Sequence, residues 1–356
     1  MFAWGAVVPL VRSRDHWPAL LLGAVFSATP LGFGIGTVVG GRLADRVPPR
    51  RLCWASLGLL GAGFAVTFAA PSGLTFVVAY AGLALGVGGG VALTGAVAAL
   101  AHALPGRSGT AGGLASATYA ASAVFQAPLI AALAPSLGWR AALEVVALGA
   151  AALAAVLLPL MPRLPARQPG PRTGRGPLVS ARVATGAALA FCGATFGAFA
   201  AVNLPGVAGA ALAGAVVAAI ALGNAGGRLL GGLFADRIGP APVLAAVFAL
   251  ELGAALLLFS GRGPALALGL GLCAGLALGM DAGSLARVGR DAAPARPNAA
   301  FGLVFAGYTT GAFAGPLLGA LVGPPPAWLV TAAPAVVGLA ILSGVRVAGR
   351  ARGQGT

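Results

Sequence analysis

An eleven-residue block occurs twice in this chain, 191 positions apart: Gly36–Arg46 reads GTVVGGRLADR and Gly227–Arg237 reads GRLLGGLFADR. Six of the eleven positions are identical, with Gly, Gly-Gly and Ala-Asp-Arg in register. Each copy closes a long apolar run and opens a polar loop bearing Arg. A block that returns at about half the chain length, each time where an apolar run ends, makes the protein two copies of one membrane unit.

Composition narrows the class further. Only 8% of the 356 residues are charged and 59% are hydrophobic, whereas a soluble domain carries about a quarter charged residues. Successive apolar runs long enough to cross a bilayer make this a polytopic, all-α membrane protein. A soluble fold would have to hide roughly ten such runs in one core. The formal charge of +15 comes wholly from Arg, with no Lys anywhere. It sits in short loops, where positive residues mark the cytoplasmic side, and is no nucleic-acid signature. Cys53, Cys192 and Cys273 are spaced for neither a disulfide nor a metal site, and His16 and His102 stand singly at loop edges.

Met1–Val11 is apolar but too short to cross a bilayer, and Arg12, Arg14 and Asp15 follow it. It reads as the outer part of a truncated first span. Eleven full spans are expected at about 18–41, 52–70, 74–101, 110–135, 141–160, 183–204, 208–233, 242–260, 264–285, 299–322 and 327–345. The segment Pro162–Arg182, with five Arg and five Pro, reads as a linker. The expected organisation is an N-terminal helical bundle over 1–161, the linker over 162–182, a C-terminal bundle over 183–346 and a tail over 347–356. Glycines at Gly86–Gly90 lack the strand and acid of a nucleotide loop, so close helix packing is the better reading. The duplication extends beyond the block: at an offset of 189, Gly113 matches Gly302 and Tyr119 matches Tyr308. The loops, linker and tail on one side hold seventeen Arg, the other side four, and one, Arg228, lies inside a span. The linker and C-terminus are therefore expected in the cytoplasm, with the protein in the inner (cytoplasmic) membrane.

On these residues the chain resembles the major facilitator superfamily. That family's loop after its second span reads G-x-x-x-D-R-x-G-R-R. Gly41, Asp45, Arg46 and Arg50 fit it, while Pro48 and Pro49 depart from it. The second copy keeps Gly232, Asp236, Arg237 and Gly239 without the later basic residues. The resemblance implies the major facilitator fold, two pseudo-symmetric helical bundles rocking about a central cavity, and a secondary active transporter working by alternating access. A carboxylate at a helix end can dock on the partner bundle in one state and release it in the other. Gly41, Asp45, Arg46, Arg50, Gly232, Asp236 and Arg237 are thus the gating candidates.

Arg228 is the sharpest single signal, because a cation inside the membrane faces a cavity or a carboxylate and marks a functional site. It would hook an anionic substrate, with Asn224 one turn earlier on the same face. The run Asn224…Arg228…Gly232…Asp236-Arg237, with Leu104–Leu114 (LPGRSGTAGGL) and Gly138-Trp139-Arg140, is similar to the oxalate/formate antiporter and monocarboxylate transporter branch, where an Arg at this position binds substrate carboxylate. The Lys that branch carries in span 11 is absent around Tyr308-Thr309-Thr310-Gly311. One membrane cation suits a monocarboxylate or other monoanion. Tyr119, Tyr308, Thr310, Gln126 and Asn203 are further substrate-binding candidates, and Asp281 and Glu251 are the proton-coupling candidates.

Two other readings remain open. Phe125–Ala131 (FQAPLIA) lacks the G-P-x-x-G-G of drug exporters, although Gly315, Pro316 and Gly319 offer part of it, so an efflux permease is the alternative. A non-transporting membrane relative is the other, motivated by the short first span. No catalytic constellation, metal-ligand cluster or phosphate loop points to an enzyme, and no cofactor is expected. The expected partners are a small-molecule substrate, protons and the lipid bilayer, with no nucleic acid, and the expected state is a monomer.

Overall fold

The computed structural model describes residues 4, 11, 14–69, 72–165, 178–261, 266–323 and 325–353. Most of the short first span, Arg12, Arg262 and the middle of the linker lie outside the described residues. Every regular element within them is helical. Eleven long helices follow one another: α1 Ala19–Ala44, α2 Pro49–Ala69, α3 Gly73–Ala103, α4 Ser108–Leu137, α5 Trp139–Leu157, α6 Ala181–Ala208, α7 Ala210–Ile238, α8 Pro240–Phe259, α9 Ala267–Ala292, α10 Pro297–Val322 and α11 Ala327–Gly353. They correspond in order to expected spans 2 to 12. Among the described residues, nine helices are long and apolar enough to cross a membrane.

Most helices outrun their apolar runs by a turn, because the flanking residues are good helix starters and stoppers. Ser72 and Ser180 accept from the backbone N–H groups of Thr75 and Val183, capping α3 and α6. Gly138, Gly209 and Gly239 adopt φ of 82°, 77° and 86° and are the only residues between consecutive helices at α4–α5, α6–α7 and α7–α8. A side chain would strain that left-handed backbone, so glycine is what permits so sharp a reversal. Large apolar side chains on the outer faces, such as Leu153 (60% exposed), Leu256 (60%) and Leu321 (76%), fit a hydrocarbon surround.

Within α3, Val77–Gly88 is π-helical. It lies on α1, where a Cβ on Gly86 would meet Gly32 Cα at 2.8 Å and one on Gly90 would meet Thr37 N at 2.7 Å. The glycine run is thus a helix-packing surface.

In the first half α1 and α2 pack on α3, and α5 on α4 and α2; in the second, α9 packs chiefly on α7, α6 on α10, and α8 on α9 and α11. The halves meet along two equivalent seams, α1 against α10 and α4 against α7, with α9 also against α4. Trp139, at the start of α5, is 3% exposed. It sits inside an aromatic cluster with Trp4, Trp17 and Phe76, and its Nε1 donates to Asp15 Oδ2 at 2.9 Å. Burial is compatible with its polar N–H because Asp15 supplies the acceptor.

Candidate functional site

The two seams end at the Arg-rich side in matching clasps. Asp45 is the C-cap of α1, and Asp236 lies in the last turn of α7. Asp236 Oδ1 accepts from Gly109 N at 2.9 Å, and its Oδ2 accepts from Thr110 N at 2.6 Å and Thr110 Oγ1 at 2.8 Å. Asp45 Oδ1 accepts from Asn298 N at 3.4 Å and Oδ2 from Ala299 N at 3.1 Å. Each carboxylate therefore caps the first turn of a helix belonging to the other half, α4 or α10. The unsatisfied N–H groups and the positive end of the helix dipole make that a favourable place for negative charge.

Glycine makes the approach possible. A Cβ on Gly232 would run into the Gly109 carbonyl, and one on Gly41 into that of Asn298. Arg287 reaches across to Asp236 at 3.5 Å while pairing with Asp291 at 2.9 Å. The motif arginines Arg46 and Arg237 are exposed at this end, and Arg50 is half-buried.

Eight residues before Asp236, Arg228 is 7% exposed. Its Nε donates to Asn224 Oδ1 at 2.6 Å and its Nη2 to the Tyr308 hydroxyl at 3.3 Å, with the guanidinium 5.9 Å from the Tyr308 ring centre. Both partners are neutral, and among the described residues no carboxylate forms an ion pair with it. Among the described residues no hydrogen bond takes Nη1, which leaves that edge for an acceptor. From Tyr308 a run of aromatic rings crosses to the other half, Phe305 at 5.1 Å, then Phe33 at 5.7 Å, then Tyr119 at 5.2 Å. The cluster thus draws on α7, α10, α1 and α4, all four seam helices. Phe33 and Phe305 were invisible to sequence reasoning, since a Phe on an apolar helix looks the same in core, lipid or cavity.

The other candidates are spread out. Asn203 is exposed, with Nδ2 donating to Phe199 O at 2.9 Å in its own helix. Thr310 is exposed and donates to Ala306 O at 2.8 Å. Gln126 is half-buried, seven residues beyond Tyr119 on α4. Arg228, Asn224 and Tyr308 are brought together, Tyr119 joins them through the rings, and Asn203 and Thr310 satisfy themselves locally.

Asp281 and Glu251 are both fully buried, on α9 and α8, and their carboxyl oxygens have no hydrogen-bond partner among the described residues. Asp281 lies against Gly193 of α6, where an added Cβ would meet its Cγ at 2.8 Å.

The family model of the Major Facilitator Superfamily matches residues 1–280. The fold is similar to that of FucP, a Major Facilitator Superfamily transporter solved in the outward conformation, with TM-score 0.68 and 16% identity over 96% of this chain and 95% of that one. A variant of the E. coli Fucose:proton symporter FucP gives TM-score 0.70 and 17% identity with the same coverage. No curated protein matches the sequence. With a family match over most of its length, two clasped halves and a charged centre, the chain belongs to the Major Facilitator Superfamily: it is a secondary transporter and a polytopic integral membrane protein.

Proposed function

We propose that this transporter moves a small organic anion, a monocarboxylate before others, by alternating access between its two bundles. The observation that carries the reading is Arg228, a buried guanidinium held by Asn224 and Tyr308 with no anionic partner among the described residues. A buried guanidinium with no carboxylate in salt-bridge contact is costly, and a bound carboxylate would supply that contact. Two neutral side chains already orient the group, so the substrate gains a charge-assisted contact without having to order the arginine.

Asp45 and Asp236, with Gly41, Gly232, Arg46, Arg50 and Arg237 around them, form the gate that shuts the Arg-rich end. That end faces the cytoplasm, since seventeen of the 22 Arg lie on its side in the sequence reading. Asp281 and Glu251 carry the coupled proton, for an acid buried without a partner exchanges its charge for a proton more readily than it stays ionised. That one protein of this fold is a fucose:proton symporter supports the same coupling ion. Residues 1–161 and 183–346 are the two moving bodies, 162–182 the linker between them, and the monomer is the working unit in the inner membrane.

The test is uptake of labelled monocarboxylates into proteoliposomes, with and without a pH gradient. Arg228→Ala and Arg228→Lys should both lose uptake while expression and thermal midpoint hold. Undiminished uptake by Arg228→Ala would remove the hook, and faster uptake of neutral amphiphiles than of monocarboxylates would favour an efflux permease.

A further inference from the structure

A cavity lies at the Arg-rich end, on the seam between the halves and apart from Arg228. It encloses about 160 Å³ and is lined by Val97 and His102 of α3, Ser108 of α4, Arg290 of α9, and Asn298 and Phe301 of α10. Both halves supply walls, and no carboxylate lines it. Ser108 and Arg290 supply its donors. Ser108 is 8% exposed, and its hydroxyl is buried with no hydrogen-bond partner among the described residues. Arg290 is exposed at the mouth and forms no ion pair among the described residues.

His102 Nδ1 lies 2.8 Å from the Ala98 carbonyl, which can only accept. Nδ1 therefore carries the proton of the neutral ring, which leaves Nε2 as an acceptor for the P–OH of a protonated phosphate. The neighbouring carboxylates of Asp45 and Asp236 accept from helix N–H groups. The space amounts to roughly five times the ~30 Å³ a water molecule occupies. That is room for a tetrahedral oxyanion and a water or two.

We propose that this cavity binds a phosphate-type oxyanion entering from the water at the Arg-rich end, and that the bound anion clips α3 and α4 to α9 and α10. Because the walls come from both halves, parting them dismantles the site. The anion binds the closed end better than the open one and stabilises it in proportion to its concentration. Transport then slows when the oxyanion accumulates on that side, whatever substrate Arg228 takes. The phosphate could belong to a free ion or to a lipid headgroup, and the two arms of the test separate them.

The full chain is placed in nanodiscs of neutral lipid and titrated with inorganic phosphate against chloride at matched ionic strength. Thermal midpoint and hydrogen exchange at residues 97–103 and 286–301 are followed. A saturable rise in midpoint with slowed exchange at those helix ends is expected. Arg290→Gln should weaken phosphate binding by about tenfold or more, as loss of a charge-assisted bond does, and Ser108→Ala by about threefold. Arg51→Gln, an exposed arginine at the same end, should change nothing, and Arg228→Ala should keep the full response, so failure of the substrate reading does not obscure the result. In nanodiscs containing anionic lipid and no added phosphate, slowed exchange that Arg290→Gln abolishes would identify a headgroup as the source. A cavity that holds water only would show no saturable response in either arm, and equal responses from the parent, Arg290→Gln and Arg51→Gln would equally overturn the proposal.

Discussion

Asp236→Asn should spring the Arg-rich end open. The carboxylate takes three donors from α4 at 2.6–2.9 Å and faces Arg287 at 3.5 Å. Asparagine keeps one acceptor oxygen, and its NH2 must then point at either Gly109 N–H or the two donors of Thr110. At least one donor loses its partner and meets another donor. Hydrogen bonds to charged groups contribute about 1.5–3 kcal/mol against 0.5–1.5 for neutral ones, and a charge at a partly buried helix end up to about 2 kcal/mol. These overlap, so about 2–3 kcal/mol is a fair expectation for the closed state, a shift of roughly 30- to 150-fold in the closed-to-open ratio. Asp45→Asn loses longer bonds, 3.1 and 3.4 Å, and should shift the ratio about tenfold or less.

The assay is the distance between probes at positions 105 and 295, both exposed and on opposite halves, in a background without the three native cysteines. Longer distances should gain population in Asp236→Asn, and to a smaller degree in Asp45→Asn. Unchanged distributions in both, or a larger effect from Asp45→Asn, would refute the clasp reasoning.

Gly232→Ala should act like a wedge: its methyl would lie 2.8 Å from the Gly109 carbonyl carbon and 3.0 Å from Gly113 Cα. About 1–3 kcal/mol of the closed state should be lost, read by the same distances and by thermal midpoint. Gly226→Ala, whose Cβ meets nothing within 4 Å, should leave both unchanged or slightly raise the midpoint. Glu251→Leu removes a buried carboxyl that has no partner among the described residues, so thermal stability should hold or rise by about 1–2 kcal/mol while pH-driven uptake disappears. A clear fall in stability would mean that the carboxyl does structural work. Asp15→Ala strands the Trp139 N–H and should lower stability by about 1–2 kcal/mol, seen in thermal unfolding, without altering uptake.

Helix positions were readable because each apolar run is long and its punctuation is glycine or proline. The duplicated block likewise announced two equivalent seams. It could not announce what Asp45 and Asp236 hold: the donors lie 253 and 254 residues away for one and 126 and 127 for the other, and are backbone N–H groups that any sequence would offer. Arg228 stood out because a charge inside an apolar helix is rare, and Asn224 followed from helical spacing. Asp281 shows the limit of reasoning along one helix. Arg287 is the nearest cation along the same helix, but six residues turn an α-helix by about 240° beyond a full circle, which points the two side chains apart. Arg287 instead takes Asp291, four residues on, and Asp236 on another helix.

The spacing along α7 ties the buried arginine to the clasp. Asn224, Arg228, Gly232 and Asp236 recur every four residues, so one face carries the guanidinium, the close crossing and the clasp over about 18 Å of helix. That face lies on α4, where a Cβ on Gly113 would meet the Arg228 carbonyl carbon at 3.4 Å and Gly232 Cα at 3.2 Å. Parting the seam at Asp236 therefore also strips packing from the backbone that bears the hook, and the two cannot move independently. The matching face of α1 has Gly41 and Asp45 but Thr37 where α7 has Arg228, and Thr37 merely donates to Gly34 O at 2.9 Å and Gly302 O at 3.4 Å. Two seams each need a clasp, whereas the single anion proposed above needs one cation; a second would stay buried and uncompensated. The halves can share their mechanics and still differ in chemistry, with Arg228, Glu251 and Asp281 all in the second.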